Sequence, residues 1–321
     1  MQLMQQHAAI VFGENHGATS AIKNYRRIFS AAAQAGASAV YIELPQDALT
    51  LLHRMGGGML TDDIARDPEK LEAFFNKWEL EAESPIPRVR DHAINVLFGS
   101  LSSYYNVELT SWDMRDKNSR MLDAVLSITQ RLEGKYRDLA DIDYLQHPEF
   151  TAEIPKIASF VKTTPEEVQQ MLAAYIKAAQ ENRYDDYITQ QLRSRVLDGD
   201  RKATRTIIDR HKGGPIVVIA GLDHSNLVDG RKNDFEEVDL DDALKLVLGQ
   251  KKVCTVGINK DSFSENNPDY TLSAGGQLRP NYDVLNQPAP AIDEEKLAKK
   301  HGLLGARNKA RTLKFGSGGG S

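Results

Sequence analysis

Four short apolar runs in this chain each break off into ionisable residues, and that repeated junction constrains the fold more than any other feature. Ala8-Ala9-Ile10-Val11-Phe12 leads into Gly13-Glu14-Asn15-His16-Gly17, and Ala37 to Ile42 leads into Glu43-Leu44-Pro45. Val107 to Trp112 leads into Asp113-Met114-Arg115-Asp116, and Ile216 to Ala220 leads into Gly221-Leu222-Asp223-His224. Runs of this length, bounded by turn-forming or polar residues, read as buried strands. Between the first two, Ser20 to Ala35 carries Ala21, Tyr25, Ile28, Phe29 and Ala32 at helical spacing, with Thr19 or Ser20 to cap it and Gly36 to stop it. Strand, helix, strand implies a parallel pair, so Glu14, His16 and Glu43 emerge at one end of a sheet. The expected fold is α/β: a mainly parallel sheet flanked by helices, with ligands taken at the carboxyl ends of the strands.

From Gln46 to Leu101 the pattern is helical with breaks, over Ala48 to Met55, Asp67 to Leu80 and Arg88 to Leu101. Gly56-Gly57-Gly58 reads as a mobile loop near Glu43 or as a plain linker between two helices. Phe74, Phe75, Trp78, His53 and His92 read as core-filling or structural side chains. Residues 117–200 show helical periodicity with little strand character, and Thr164-Pro165-Glu166-Glu167 is a helix start with a capping box. This block is expected as a large helical insertion inside an α/β catalytic-type domain of residues 1–260. Residues 261–315 form a C-terminal extension whose basic stretch, Ala291 to Arg311, is either a solvated helix or a partner contact. Residues 316–321 read as an added Gly/Ser linker, and truncation from a larger protein is expected.

Composition removes several classes of function. A net charge of −5 argues against broad binding to nucleic acid or anionic membranes, which needs a positive field. No run is long enough to cross a bilayer, and the amino terminus does not resemble a secretion signal. The chain is therefore expected in a cytosol, its own or, as a secreted effector, a host's. The single cysteine, Cys254, rules out an internal disulfide framework and reads as a small buried hydrophobe in Val253-Cys254-Thr255-Val256.

Taken singly, each strand-end residue has an ordinary reading, as a hydrogen-bonded turn histidine, a helix cap or an ion pair. Together they suggest one shared site, with Glu14, His16, Glu43 and His224 as catalytic candidates and Asp113, Arg115 and Arg201 in support. Two carboxylates near two imidazoles can deprotonate water, stabilise an oxyanion and protonate a leaving group. Glu14 or Glu43 would be the base, with His16 and His224 orienting the carbonyl, stabilising the oxyanion or delivering the proton; these roles are exchangeable. The same residues are an acceptable ligand set for zinc, manganese or cobalt, drawn from His16, His224 and Glu14, with Glu43 then freed as base.

Gly-Glu-Asn-His-Gly at residues 13–17, Ile42-Glu43, Trp112-Asp113 and Ala220-Gly221-Leu222-Asp223-His224 occur in the order found in a known superfamily. Over about residues 8 to 260 the chain resembles the group uniting Tiki proteases, erythromycin esterases, ChaN-like haem-binding proteins, TraB/GumN proteins and bacterial toxin domains. Among the last are Pasteurella multocida toxin-like and Ras-cleaving Vibrio toxin effector-like domains. The resemblance implies an EreA/ChaN-like fold and, most directly, a peptidase-type toxin or effector acting on a protein substrate, with a small GTPase as one candidate. Tiki-like members imply a divalent metal, whereas the Ras-cleaving effector implies none, so the cofactor stays open. The alternatives it implies are a haem or iron binder, a macrolide-type esterase, or a noncatalytic toxin module.

Overall fold

A computed structural model of the chain describes residues 2–14, 18–44, 49, 52, 56, 58–112, 120–122, 124–125, 148–180, 184–221, 224, 234–258 and 268–315. The chain divides into two units, one of Met1–Asp113 with Asp200–Ser321 and one of Met114–Gly199. The first holds a sheet of seven strands among the described residues: β1 (Ala9–Glu14), β2 (Ala39–Ile42), β3 (Glu108–Ser111), β4 (Ile216–Gly221), β5 (Val253–Ile258), β6 (Tyr270–Leu272) and β7 (Leu278–Pro280). Their spatial order is β3-β2-β4-β1-β5-β6-β7, with every pairing parallel except the β6–β7 edge. The α/β fold is thus as the sequence reads.

Burial explains why these runs became strands. Every residue of β1, β4 and β5 is buried, as expected where helices cover both faces of a parallel sheet. Ile10, Phe12, Val40, Ile42, Val217 and Ile219 face one apolar core, while Ala9, Val11, Tyr41, Val218 and Ala220 face the other. Helices α1 (Thr19–Gln34), α2 (Pro68–Ala82) and α3 (Pro87–Tyr105) pack into the first core. Helix α6 (Tyr184–Arg210) from Asp200 onward, with α7 (Leu240–Leu248), α8 (Glu294–Lys300) and α9 (Leu304–Ala310), packs into the second. Each helix has a local cause. In α1, Ala21, Tyr25, Ile28, Phe29 and Ala32 lie on one buried stripe, and Gly36 ends the turn at φ +73°. In α2, Pro68 opens the first turn and the Asp67 side chain accepts from the amides of Glu69 and Lys70.

The second unit carries α4 (Pro148–Val161), α5 (Pro165–Gln180) and the first part of α6, with a core of Met121, Val125, Ile154, Ile157, Ala158, Val161, Val168 and Leu172. The capping box at α5 forms as its sequence suggests. The Glu167 amide donates to Thr164 Oγ1 at 3.3 Å, and the Thr164 amide donates to Glu167 Oε2 at 3.4 Å.

Residues 268–315 are built into the first unit, where β6 and β7 extend the sheet and α8 and α9 pack on α7. The basic terminal stretch pairs with acids of that unit. Lys300 meets Glu236, Arg307 lies 2.7 Å from Glu294, Lys309 2.9 Å from Asp209 and Arg311 2.9 Å from Glu295. Among the described residues no helix is long and apolar enough to cross a membrane.

The triple glycine differs from its sequence reading. Gly56 and Gly58 are helical, and Gly57 lies outside the described residues. Gly56 is buried against α3, where a Cβ would overlap the Gly99 backbone, and its carbonyl accepts from Ser100 Oγ at 3.3 Å. The glycine is used here for close backbone approach rather than for a turn. Gly99 is the matching surface: a Cβ there would overlap the Leu52 carbonyl oxygen and lie 2.9 Å from Gly56 Cα. Gly99→Ala is therefore expected to destabilise the protein by about 3 kcal/mol, the upper part of the usual overpacking range. Urea unfolding would check this, and a midpoint equal to wild type would show that the two segments separate freely.

Candidate functional site

Glu43, His224 and Glu14 follow or end three adjacent strands in the order β2, β4, β1. At ordinary strand spacing that span is about 10 Å. The helices that follow β1 and β2, α1 to α3, pack on one face of the sheet, and α7, which follows β4, packs on the other. A change of face between neighbouring strands marks the usual ligand position in open α/β sheets.

Glu14 closes β1, is 3% exposed, and accepts a hydrogen bond from the Tyr25 hydroxyl of α1 at 3.0 Å. Burial, and then Glu14 itself, holds the Tyr25 phenol well above its usual pKa, so it remains an O–H donor. Glu43 follows β2 directly. Its Oε1 lies 3.1 Å from His224 Nε2, and its Oε2 accepts from the Gly221 amide at 3.4 Å. The other ring nitrogen, Nδ1, lies 2.6 Å from Oδ1 of Asp200, a fully buried residue of α6. Trp112, at the end of β3, sets its ring edge-on to the imidazole at 5.0 Å between centroids, and its indole N–H donates to the Ile219 carbonyl at 3.2 Å.

The electrostatics follow from this line of acid, imidazole, acid. Ionised carboxylates only accept hydrogen bonds, so an imidazole placed between two of them donates from both nitrogens and is an imidazolium. Burial works against that charge, but Asp200 and Glu43 outweigh it and hold the His224 pKa up at about 10. Asp200 is pushed up to about 6 by burial, with His224 pulling in the opposite direction. His224 is therefore a fixed cation and a proton donor at neutral pH, which leaves the task of base to a glutamate.

A metal on His224 would have to take Nε2 from Glu43, and Nδ1 is already committed to Asp200. Elsewhere among the described residues, Asp239, Asp241 and Asp242 at the start of α7 bring carboxylate oxygens within 4.8 Å of one another. Lys245 serves them as counter-ion, 2.5 Å from Asp241 and 3.1 Å from Asp242. Burial, followed by its acidic neighbours, holds Asp239 far above the usual carboxylate range.

Of the candidates read from sequence, Glu14, Glu43 and His224 come to one end of the sheet, while His16, Asp113 and Arg115 lie outside the described residues. Arg201 is half-buried on α6, and its charge acts on His301. The residue that α6 supplies to the imidazole is its neighbour, Asp200. Asp200 and Tyr25 were missed as site residues. Asp200 had a signal, since it sits at helical spacing among Val196, Ala203 and Ile207, a carboxylate on an apolar stripe. Tyr25 had none, because an apolar stripe position is an ordinary place for a tyrosine. Cys254 is core as read, 1% exposed, with its thiol pKa pushed up by burial. Comparison with protein-family models, curated proteins and solved structures finds no match to the chain.

Proposed function

We propose that the chain is a hydrolase that activates water against a carbonyl at the carboxyl ends of β1, β2 and β4. The observation that carries this reading is the Asp200–His224–Glu43 line at the strand ends. Glu43 is the more accessible acid, its side chain 13% exposed, whereas Glu14 is nearly sealed beneath Tyr25. Glu43 takes a proton from water. Once neutral, it loses much of its hold on the His224 Nε2–H, which can then be given to the developing oxyanion or the leaving group. Glu14 supplies further negative charge at the same strand ends and could exchange roles with Glu43.

The superfamily resemblance supports a peptide bond of a protein as substrate, small GTPases among the candidates, and a bacterial toxin or effector setting. The haem-binding alternative has less support, because both nitrogens of His224 are hydrogen-bonded to carboxylates. The test is incubation of cell lysate and purified small GTPases with wild type and Glu43→Gln, with and without chelator, read by mass spectrometry for new peptide termini. Termini made by wild type alone are expected, and chelator sensitivity would assign or dismiss a metal. No new termini, followed by no macrolide hydrolysis, would overturn the hydrolase reading.

A further inference from the structure

We infer that Asp200 is the positioning residue for His224, fixing the ring through Nδ1 so that Nε2 faces Glu43. The inference rests on the hydrolase reading for its catalytic consequence, but not for its geometry.

The side chain of Asp200 is fully buried, and burying a carboxylate is costly unless something close answers it. Its oxygens lie among the second apolar core and near other acids, Asp239 and Asp241, which repel it. Among the described residues its side chain has one hydrogen-bond partner, the imidazole at 2.6 Å, and Oδ2 has none. A carboxylate installed so expensively for a single contact is poorly explained by stability alone. The contact also does something specific. An imidazole can flip about χ2, which swaps the place of each nitrogen with that of a ring carbon, and a bond at Nδ1 removes that freedom and holds Nε2 toward Glu43. Trp112, edge-on to the same ring, limits its tilt from the β3 side. Among the described residues, the groups facing His224 are Asp200 from α6, Glu43 after β2 and the Trp112 ring, with each ring nitrogen directed at one carboxylate. The same orientation would serve whether Nε2 handles a proton or a metal ion, since acids behind histidines play this part in both settings.

The experiment uses protein labelled with nitrogen-15 at histidine. A strongly downfield Nδ1 proton is expected in wild type, assigned to His224 by its absence in His224→Gln and lost in Asp200→Asn. On whichever substrate the wild type cleaves, Asp200→Asn is expected to lower kcat at least about 100-fold with little change in KM, and Asp200→Glu to recover part of it. A wild-type His224 whose Nδ1 proton exchanges freely with water would overturn the inference, even should Asp200→Asn fail to fold. An unchanged kcat in a folded Asp200→Asn would overturn it as well. A downfield proton in a protein that hydrolyses nothing would retire the hydrolase reading and leave the positioning contact standing.

Discussion

His224→Ala is expected to lose about 3–5 kcal/mol of stability near pH 8, because it strands a buried charge. Its two partners respond differently. The Glu43 side chain is 13% exposed and can regain water, whereas the Asp200 side chain is 0% exposed and cannot. Asp200 must then stay ionised in an apolar core beside Asp241 or take up a proton. That choice gives the effect a pH dependence. In wild type the His224 pKa is raised to about 10, so its contribution is fully present below the ordinary histidine value and is lost as pH rises through 10. Without the imidazolium, the Asp200 pKa moves further above 6, and a carboxyl raised in the folded state is favoured neutral. The deficit of His224→Ala therefore shrinks toward about pH 5 and grows toward about pH 8. Urea unfolding at the two pH values would measure it. Adding Asp200→Asn to the variant should recover most of the loss, because the stranded charge is then gone. A His224→Ala protein as stable as wild type near pH 8 would show that Asp200 does not depend on the imidazole.

Glu43→Gln is expected to lower kcat by about 10²–10⁴-fold while leaving the thermal melt close to wild type. The amide keeps the shape of the side chain, but its single oxygen can accept from His224 Nε2 or from the Gly221 amide and not from both, a loss of about 1 kcal/mol at a partly exposed position. What it cannot do is accept a proton from water. Glu43 also adds little to the core, following β2 after the strand has ended. Loss of kcat with a preserved melt would mark Glu43 as the base. Retained kcat would pass that role to Glu14, for which Glu14→Gln is the next variant.

Glu14, Glu43 and His224 were readable because each follows a bounded apolar run, and parallel strands deliver their ends to one edge. Asp200 was not picked out, although it sits on an apolar helical stripe. Its partner lies 24 residues away, and their contact exists only because α6 packs beside β4. Gly56 was misread for a different reason. A glycine run has the same appearance whether it permits a turn or lets two backbones touch, and only the presence of Gly99 opposite decides which.

By itself, then, the sequence determined the α/β class, the parallel central strands, the extent of α1 to within one residue though not its cap, the start of α5 and the edge at which ionisable residues collect. Those follow from hydrophobic periodicity and capping, properties of neighbouring residues. Tertiary structure alone decided that His224 lies between Asp200 and Glu43 as a cation, that Tyr25 holds Glu14, and that the terminal basic helices pair with acids of their own unit. Charge state and partner choice depend on how much water each group loses and which opposite charge lies within a few ångströms. Both are set by packing between segments distant in the chain.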